Sequence, residues 1–234
     1  MNYIKYELSK YKENEVIFAS KLYKEKLYNK VSEASFYKTL ERMTKNKEIE
    51  KLSKGIYYFP LKSKFGLVPI KDEEIILIFT KNNEGMEVGY SLYNRLNLTT
   101  QVSKKRKVYS CNLENDIKNI RNIEIKNYQI EFNKKYKQTI EMFEVLQNFN
   151  KIEDLNYKSF YEYAREYTNV YNEKIVDQVI KTMKYKKSTI SFLNNILDYF
   201  NVDNNLNKYL SSLSKYNHKT MEEIYEFTQT QERF

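Results

Sequence analysis

The 234-residue chain carries 40 Lys and Arg against 31 Asp and Glu, a formal charge of +9, with one Cys and one His. A single cysteine excludes an internal disulfide, and one Cys with one His cannot supply the four ligands of a structural zinc site. The sequence has no run of eighteen apolar residues and no apolar leader at its start, which predicts a cytoplasmic protein with no membrane contact.

The positive charge is concentrated towards the N-terminus. Residues 1–65 contain 15 Lys and Arg against 8 Asp and Glu, residues 66–150 contain 13 against 11, and residues 151–234 contain 12 against 12. This distribution is typical of a phosphate-binding module joined to a neutral remainder. The codon bias of an AT-rich genome also yields Lys-rich proteins, but it would not leave the last third neutral.

The first 65 residues predict three helices followed by a hairpin. Apolar spacing predicts one helix over residues 2–12, a second that Ser20 can cap, and a third that begins at Ser32 or Glu33. One face of the third helix is apolar and is expected to meet the core: Phe36, Leu40 and Met43. Residues 49–59 then predict a hairpin that turns at Lys54-Gly55 and ends before Pro60.

Three helices and a hairpin in this order predict a winged helix-turn-helix. A helix fits the major groove of DNA, and the hairpin can contact the neighbouring backbone. The candidate DNA-binding residues lie on the outer face of the third helix and on the hairpin: Ser35, Tyr37, Lys38, Arg42, Lys51, Ser53 and Lys54. A solvated surface is the alternative for each of them, and winged helices also bind proteins.

Residues 66–135 predict a small α+β module. The acids at 72–74 favour the start of a helix, because they complement its dipole; a metal site is the alternative, which no nearby histidine supports. A strand is predicted at 107–111 and a hairpin over 123–132. The basic run of Lys104, Lys105 and Arg106 is either a solvated loop or a further phosphate contact.

Residues 136–234 predict a helical bundle, so the expected fold class is α+β and mainly helical. Its five clustered tyrosines are half-buried core residues or a protein-binding surface: Tyr157, Tyr161, Tyr163, Tyr167 and Tyr171. His218 is expected on the surface, and Cys111 has no histidine in its own segment to activate it. The four glycines form no phosphate loop. We therefore expect no enzyme activity, no metal and no cofactor.

Two blocks of the sequence resemble the AbiEi-type antitoxins. They comprise Ser32–Met43, Ile49 and Lys54–Pro60, and then Gly89–Val102, which leads into the strand Lys107–Cys111. The second block contains the Leu-Thr-Thr-Gln-Val turn, with Asn97 where that family usually has glycine. The resemblance covers roughly residues 1–135.

This resemblance implies an antitoxin of a two-gene system linked to abortive phage infection. Its winged helix would bind inverted repeats in double-stranded promoter DNA and repress its own operon. Its C-terminal part would counteract a nucleotidyltransferase-like toxin, in a class where the two proteins need not form a stable complex. Two alternatives stay open: an antitoxin that acts by direct toxin contact, and a ligand-responsive transcription regulator. We expect a monomer or a weak dimer.

Overall fold

The computed structural model describes residues 3–113 and 116–231, and its fold is α+β and mainly helical, as the sequence predicts. The described chain divides into two compact units. The first contains the residues up to Ile78 together with Asn119–Ile123, and the second contains the remaining described residues. Within the described part of the chain, no helix is long and apolar enough to cross a membrane.

The first unit begins with three helical segments. Their bounds, with the strand between the first two, are α1 Tyr3–Leu8, β1 Val16–Phe18, α2 Ala19–Leu22 and α3 Glu33–Lys45. The second helix continues as a π-helical turn over Tyr23–Leu27. The expected Ser20 cap is wrong: Phe18 holds the cap position without a side-chain bond, and Ser20 lies inside the first turn.

A three-stranded antiparallel sheet completes the core of this unit. Strands β2 (Glu50–Ser53) and β3 (Ile56–Tyr58) form the predicted hairpin, and β1 pairs with the free edge of β3 to give the order β1-β3-β2. The residues of this unit's core that are almost completely buried are all apolar, and they include Leu8, Ile17, Leu27, Phe36, Leu40 and Ile49.

A second hairpin, not expected from the sequence, follows the first. Strands β4 (Leu61–Ser63) and β5 (Gly66–Val68) form a sheet of two strands. Helix α4 (Asp72–Thr80) then begins at the three acids, as expected. Asp72 pairs with Arg121 at 3.0 Å, so this acid has a structural partner.

The sheet of the second half has the order β6-β7-β9-β8. Its strands are β6 Gly85–Val88, β7 Arg106–Ser110, β8 Ile117–Ile120 and β9 Ile123–Asn127, with the short helix α5 Tyr90–Arg95 after β6. The hairpin predicted over 123–132 is wrong, because β9 pairs with the preceding strand β8. Residues 128–133 instead lead into a helix: Phe132 is buried, and the Asn133 side chain accepts bonds from the first backbone N–H groups.

Five helices form the C-terminal bundle: α6 Lys134–Asn148, α7 Tyr157–Thr168, α8 Glu173–Met183, α9 Lys187–Tyr199 and α10 Met221–Gln231. Helix α6 packs against α8 and α9, and α7 packs against α10. Asparagine side chains cap the starts of α6, α7 and α8, and asparagine is one of the residues preferred at this position. The core of the bundle contains the large rings Phe143, Phe160 and Phe192.

The bundle also accounts for the tyrosines and the histidine. Tyr167 is buried, and the other four clustered tyrosines pack half-buried against the core, which favours the core interpretation. The surface expectation for His218 holds only in part, because the ring is partly buried. Its ring stacks on Phe192 at 4.9 Å, and its Nε2 lies 3.0 Å from Ser191 Oγ. No local sequence pattern marks this contact, because the partners are 26 and 27 residues away in the chain.

Candidate functional site

Helix α3 has a well-defined start and a continuous backbone. Ser32 holds the cap position in extended conformation, and its Oγ accepts a bond from the Ser35 backbone N–H at 3.3 Å. That bond satisfies one of the N–H groups that a helix start leaves unpaired. The 13-residue helix contains neither glycine nor proline, so its two faces keep a constant orientation along its length.

The inner face of α3 is fixed by burial. Phe36, Leu40 and Met43 are all buried, as predicted, and the Phe36 ring stacks against Tyr23 at 5.7 Å between ring centres. Because residues three and four apart share one side of a helix, this burial determines which residues face outward.

The outer face of α3 is polar and accessible. Ser35, Lys38 and Arg42 are exposed, and with neighbouring residues of the helix they line a shallow surface depression. The acid on this face, Glu41, has its carboxylate 3.1 Å from Lys45 Nζ. Because this ion pair offsets the negative charge of Glu41, the positive charges of Lys38 and Arg42 dominate the exposed face.

Tyr37 does not share this orientation. It is half-buried and packs edge-on against Phe36, with 5.3 Å between ring centres. One residue along a helix is a rotation of about 100°, which puts position 37 at the border between the two faces. The predicted outward position therefore holds for three of the four helix residues and only in part for Tyr37.

The hairpin β2–β3 presents two of its three candidate residues. Lys51 and Lys54 are exposed, whereas the Ser53 Oγ is buried and accordingly unavailable to a ligand. The strand register shifts between Lys51 and Ser53, and this irregularity turns Ser53 inward. The sequence gives no signal for the shift.

The hairpin turn is tied to the helices. Gly55 takes a positive φ of 78°, which suits a residue without a side chain. Its carbonyl accepts a bond from the backbone N–H of Ala19 at 2.9 Å, which joins the turn to the start of α2.

The two strands of the hairpin are also linked by side chains. The Glu50 carboxylate accepts a 2.5 Å hydrogen bond from the Tyr58 hydroxyl, and burial together with this bond raises the pKa of Tyr58 to about 12.

The basic run of the second unit divides into two kinds of residue. Lys104 and Lys105 are exposed on the bend before β7. Arg106 is instead half-buried and makes a two-pronged ion pair with Glu87 on β6, at 2.7 Å and 3.0 Å. The guanidinium is therefore occupied within the sheet, and we do not retain Arg106 as a phosphate contact.

A protein-family model matches residues 5–156, and it describes a family of unknown function (DUF6088). The chain belongs to this family. The DUF6088 segment begins inside α1 and ends at Asn156, the residue that caps α7, so it contains α3 and both hairpins of the first unit. No curated protein matches the chain at a significant level.

The surroundings of the cysteine of the DUF6088 chain disfavour its reactive form. Cys111 is half-buried behind β7, with its Sγ 3.4 Å from the Glu84 carbonyl, and burial raises the pKa of the thiol. A raised pKa leaves less of the thiolate that nucleophilic chemistry needs. Among the described residues, no group of three or more His, Cys, Asp or Glu is arranged to hold a metal ion.

Proposed function

We propose that the chain is a DNA-binding repressor of the AbiEi antitoxin type, which binds the promoter of its own operon through the first unit. The observation that carries the proposal is the division of α3 into two faces. Phe36 and Leu40 are fully buried on one side, while Ser35, Lys38 and Arg42 stand exposed on the other. A helix that is anchored inside and polar outside can enter a major groove and reach base edges.

The order and pairing of the elements support the same conclusion. Helices α1, α2 and α3 are followed by a hairpin whose second strand pairs with β1, which is the arrangement expected of a winged helix-turn-helix. In this interpretation α3 is the recognition helix and β2–β3 is the wing. Lys51 and Lys54 on the wing would contact phosphates, and Lys38 and Arg42 would contact phosphates or guanine edges.

The charge of the segment gives the interaction its energetic basis. Residues 1–65 carry 15 basic against 8 acidic side chains, whereas residues 151–234 carry 12 of each. Two of the acids near the interface, Glu41 and Glu50, are bound to Lys45 and Tyr58. When such a positive surface binds DNA, it releases the counterions that are condensed on the phosphates. This release favours binding, and the affinity therefore falls steeply as the salt concentration rises.

The antitoxin part of the proposal is supported by the resemblance of residues 1–135 to AbiEi-type proteins. It implies that the chain counteracts a nucleotidyltransferase-like toxin encoded beside it. The test is co-expression of that neighbouring gene with and without the full chain in a bacterial host. Growth arrest that the chain relieves supports the antitoxin role, and arrest that it does not relieve contradicts that role.

The DNA-binding part is tested by gel shift with duplex DNA from upstream of the protein's own gene. The double variant Lys38→Ala, Arg42→Ala is expected to bind at least about tenfold more weakly, since two contacts to DNA are lost. The matched control is Lys174→Ala, Lys181→Ala, which removes the same charge from exposed positions on α8. Equal affinity of the α3 variant and the control would contradict the proposal.

A further inference from the structure

The β4–β5 hairpin holds an aromatic ring entirely in solvent. Phe65 at its tip has a relative exposure of 101 %, and the residues from Leu61 to Gly66 are all exposed. Burying apolar surface is favourable by about 25 cal/mol for each Å² removed from water, and the exposed Phe65 ring forgoes this gain. Since the ring contributes nothing to the core of this chain, a role in binding a partner accounts for its position.

The hairpin that carries Phe65 has regular strand pairing and a hydrogen bond within its turn. Leu61 pairs with Val68 and Ser63 with Gly66, and the Ser63 Oγ accepts a bond from the Phe65 N–H at 3.1 Å. The two prolines of the chain, Pro60 and Pro69, stand immediately before and after the two strands. Proline fixes its own backbone angle and restricts the residue before it, so both bases of the hairpin are stiffened.

The charge around the hairpin indicates the chemistry of the partner. Residues 51–71 contain five lysines and no Asp or Glu: Lys51, Lys54, Lys62, Lys64 and Lys71. Lys62 and Lys64 flank the ring and are both exposed. The surface therefore fits a partner that combines negative charge with an apolar gap into which a ring can be inserted. A DNA duplex has both properties, because its stacked bases lie between two phosphate backbones.

We propose that the β4–β5 hairpin is a second DNA-binding arm, which inserts Phe65 between two base steps in the minor groove while Lys62 and Lys64 contact the flanking phosphates. The inference rests on the proposed function, because it takes DNA as the ligand of the first unit. Apolar side chains wedged between base steps unstack them and kink the duplex. The arm therefore makes the protein bend its operator, a property that α3 and the wing do not require.

The absence of tryptophan from the sequence permits a direct test. Phe65→Trp places a single fluorescent ring at the tip, and Leu213→Trp places one at a similarly exposed position (95 %) in the second unit. We expect the emission of Phe65→Trp to be quenched when the upstream duplex is added, and the emission of Leu213→Trp to stay unchanged. Unchanged emission of Phe65→Trp on a duplex that the protein binds would overturn the inference. So would a spectral change that occurs only with vesicles of anionic lipid.

Bending gives an independent readout. With the duplex labelled at both ends, energy transfer at saturating wild-type protein is expected to rise as the ends approach. Phe65→Ala is expected to abolish this rise and to weaken binding by about tenfold, the loss typical of one base–aromatic stack. Equal energy transfer and affinity in wild type and Phe65→Ala would overturn the inference.

The two proposals fail in different ways. If Lys38→Ala, Arg42→Ala weakens binding while Phe65→Ala changes neither affinity nor bending, the repressor proposal stands and the arm is rejected. If Phe65→Trp responds to the duplex while the α3 variant binds normally, the arm stands and the recognition role of α3 is rejected. If the wild-type protein binds no duplex from the upstream region, both are rejected.

Discussion

Arg106 binds Glu87 through two parallel hydrogen bonds, from Nε to Oε1 at 2.7 Å and from Nη2 to Oε2 at 3.0 Å. Both side chains are about one-quarter exposed, and the Ser91 hydroxyl donates a further 2.7 Å bond to the same carboxylate. Forked pairs of arginine and carboxylate are among the stronger polar contacts in proteins. The most basic stretch of the sequence is therefore partly structural, and it links strand β7 to β6.

Arg106→Ala is expected to destabilise the protein, because Arg106 has a structural partner in Glu87. Loss of the guanidinium leaves the half-buried carboxylate of Glu87 without its charged partner, at a cost of roughly 1–3 kcal/mol. Denaturant unfolding measures this loss. The control Lys105→Ala removes the same charge from an exposed position and should change stability by less than about 0.5 kcal/mol. Equal stability of the two variants would show that the pair contributes nothing.

The wing lysines are expected to act through charge alone. Lys51→Ala and Lys54→Ala should each reduce the slope of log affinity against log salt by about 0.9, if each lysine makes the proposed contact with one phosphate. Fluorescence anisotropy over a salt series measures the slope. Lys187→Ala on α9 is the control, since it removes one exposed positive charge from the second unit. Parallel lines for wild type and both wing variants would remove Lys51 and Lys54 from the interface.

Gly85 is expected to be intolerant of a side chain. A Cβ added there would lie 2.3 Å from the backbone oxygens of both Phe79 and Tyr109, and backbone cannot move aside cheaply. Gly85→Ala should therefore cost about 3 kcal/mol or more, measured as a lowered free energy of unfolding. At Gly55 no atom lies within 4 Å of such a Cβ, so Gly55→Ala should cost only the backbone strain of its positive φ, about 1–2 kcal/mol. Comparable losses in the two variants would contradict the steric explanation.

The parts of the site that could be predicted are those set by near neighbours in the chain. The Ser32 cap, the buried Phe36 and Leu40, and the turn at Gly55 each follow from patterns within a few residues. These local signals are enough to predict α3, its exposed Lys38 and the β2–β3 hairpin.

The parts that could not be predicted depend on distant partners. Arg106 is 19 residues from Glu87, and β6, which carries Glu87, is a four-residue strand without a clear alternating pattern. The inward turn of Ser53 arises from a register shift between strands, which no single-strand pattern reveals. The β4–β5 hairpin gives no comparable signal, because each of its strands is only three residues long and Pro60 marks the end of the hairpin predicted over residues 49–59.

The second unit contains a buried carboxyl group that makes its stability depend on pH. Glu144 on α6 is 6 % exposed, and its Oε1 accepts a 2.9 Å bond from the Tyr185 hydroxyl. Burial raises the pKa of Glu144 above its ordinary value of 4.5, and hydrogen bonds from Tyr109 and Tyr185 oppose this effect only in part. The folded protein therefore holds this proton more tightly than the unfolded chain does.

The sign of the pH dependence follows from that difference. As the pH rises above 4.5, the unfolded chain releases the proton while the folded protein retains it, so the contribution of Glu144 to stability falls with rising pH. Glu144→Gln keeps an acceptor for Tyr185 and removes the titration. We expect this variant to match the wild type in stability below pH 4.5 and to exceed it at neutral pH.

Denaturant unfolding of both proteins over a pH series measures the effect. The control Glu166→Gln removes a carboxylate from an exposed position on α7, where no burial penalty is relieved. It should follow the wild-type curve throughout, because exposed groups gain or lose little on folding. A Glu144→Gln curve that stays parallel to the wild type, or lies below it at neutral pH, would mean that the tyrosines stabilise the buried carboxylate at least as much as burial penalises it.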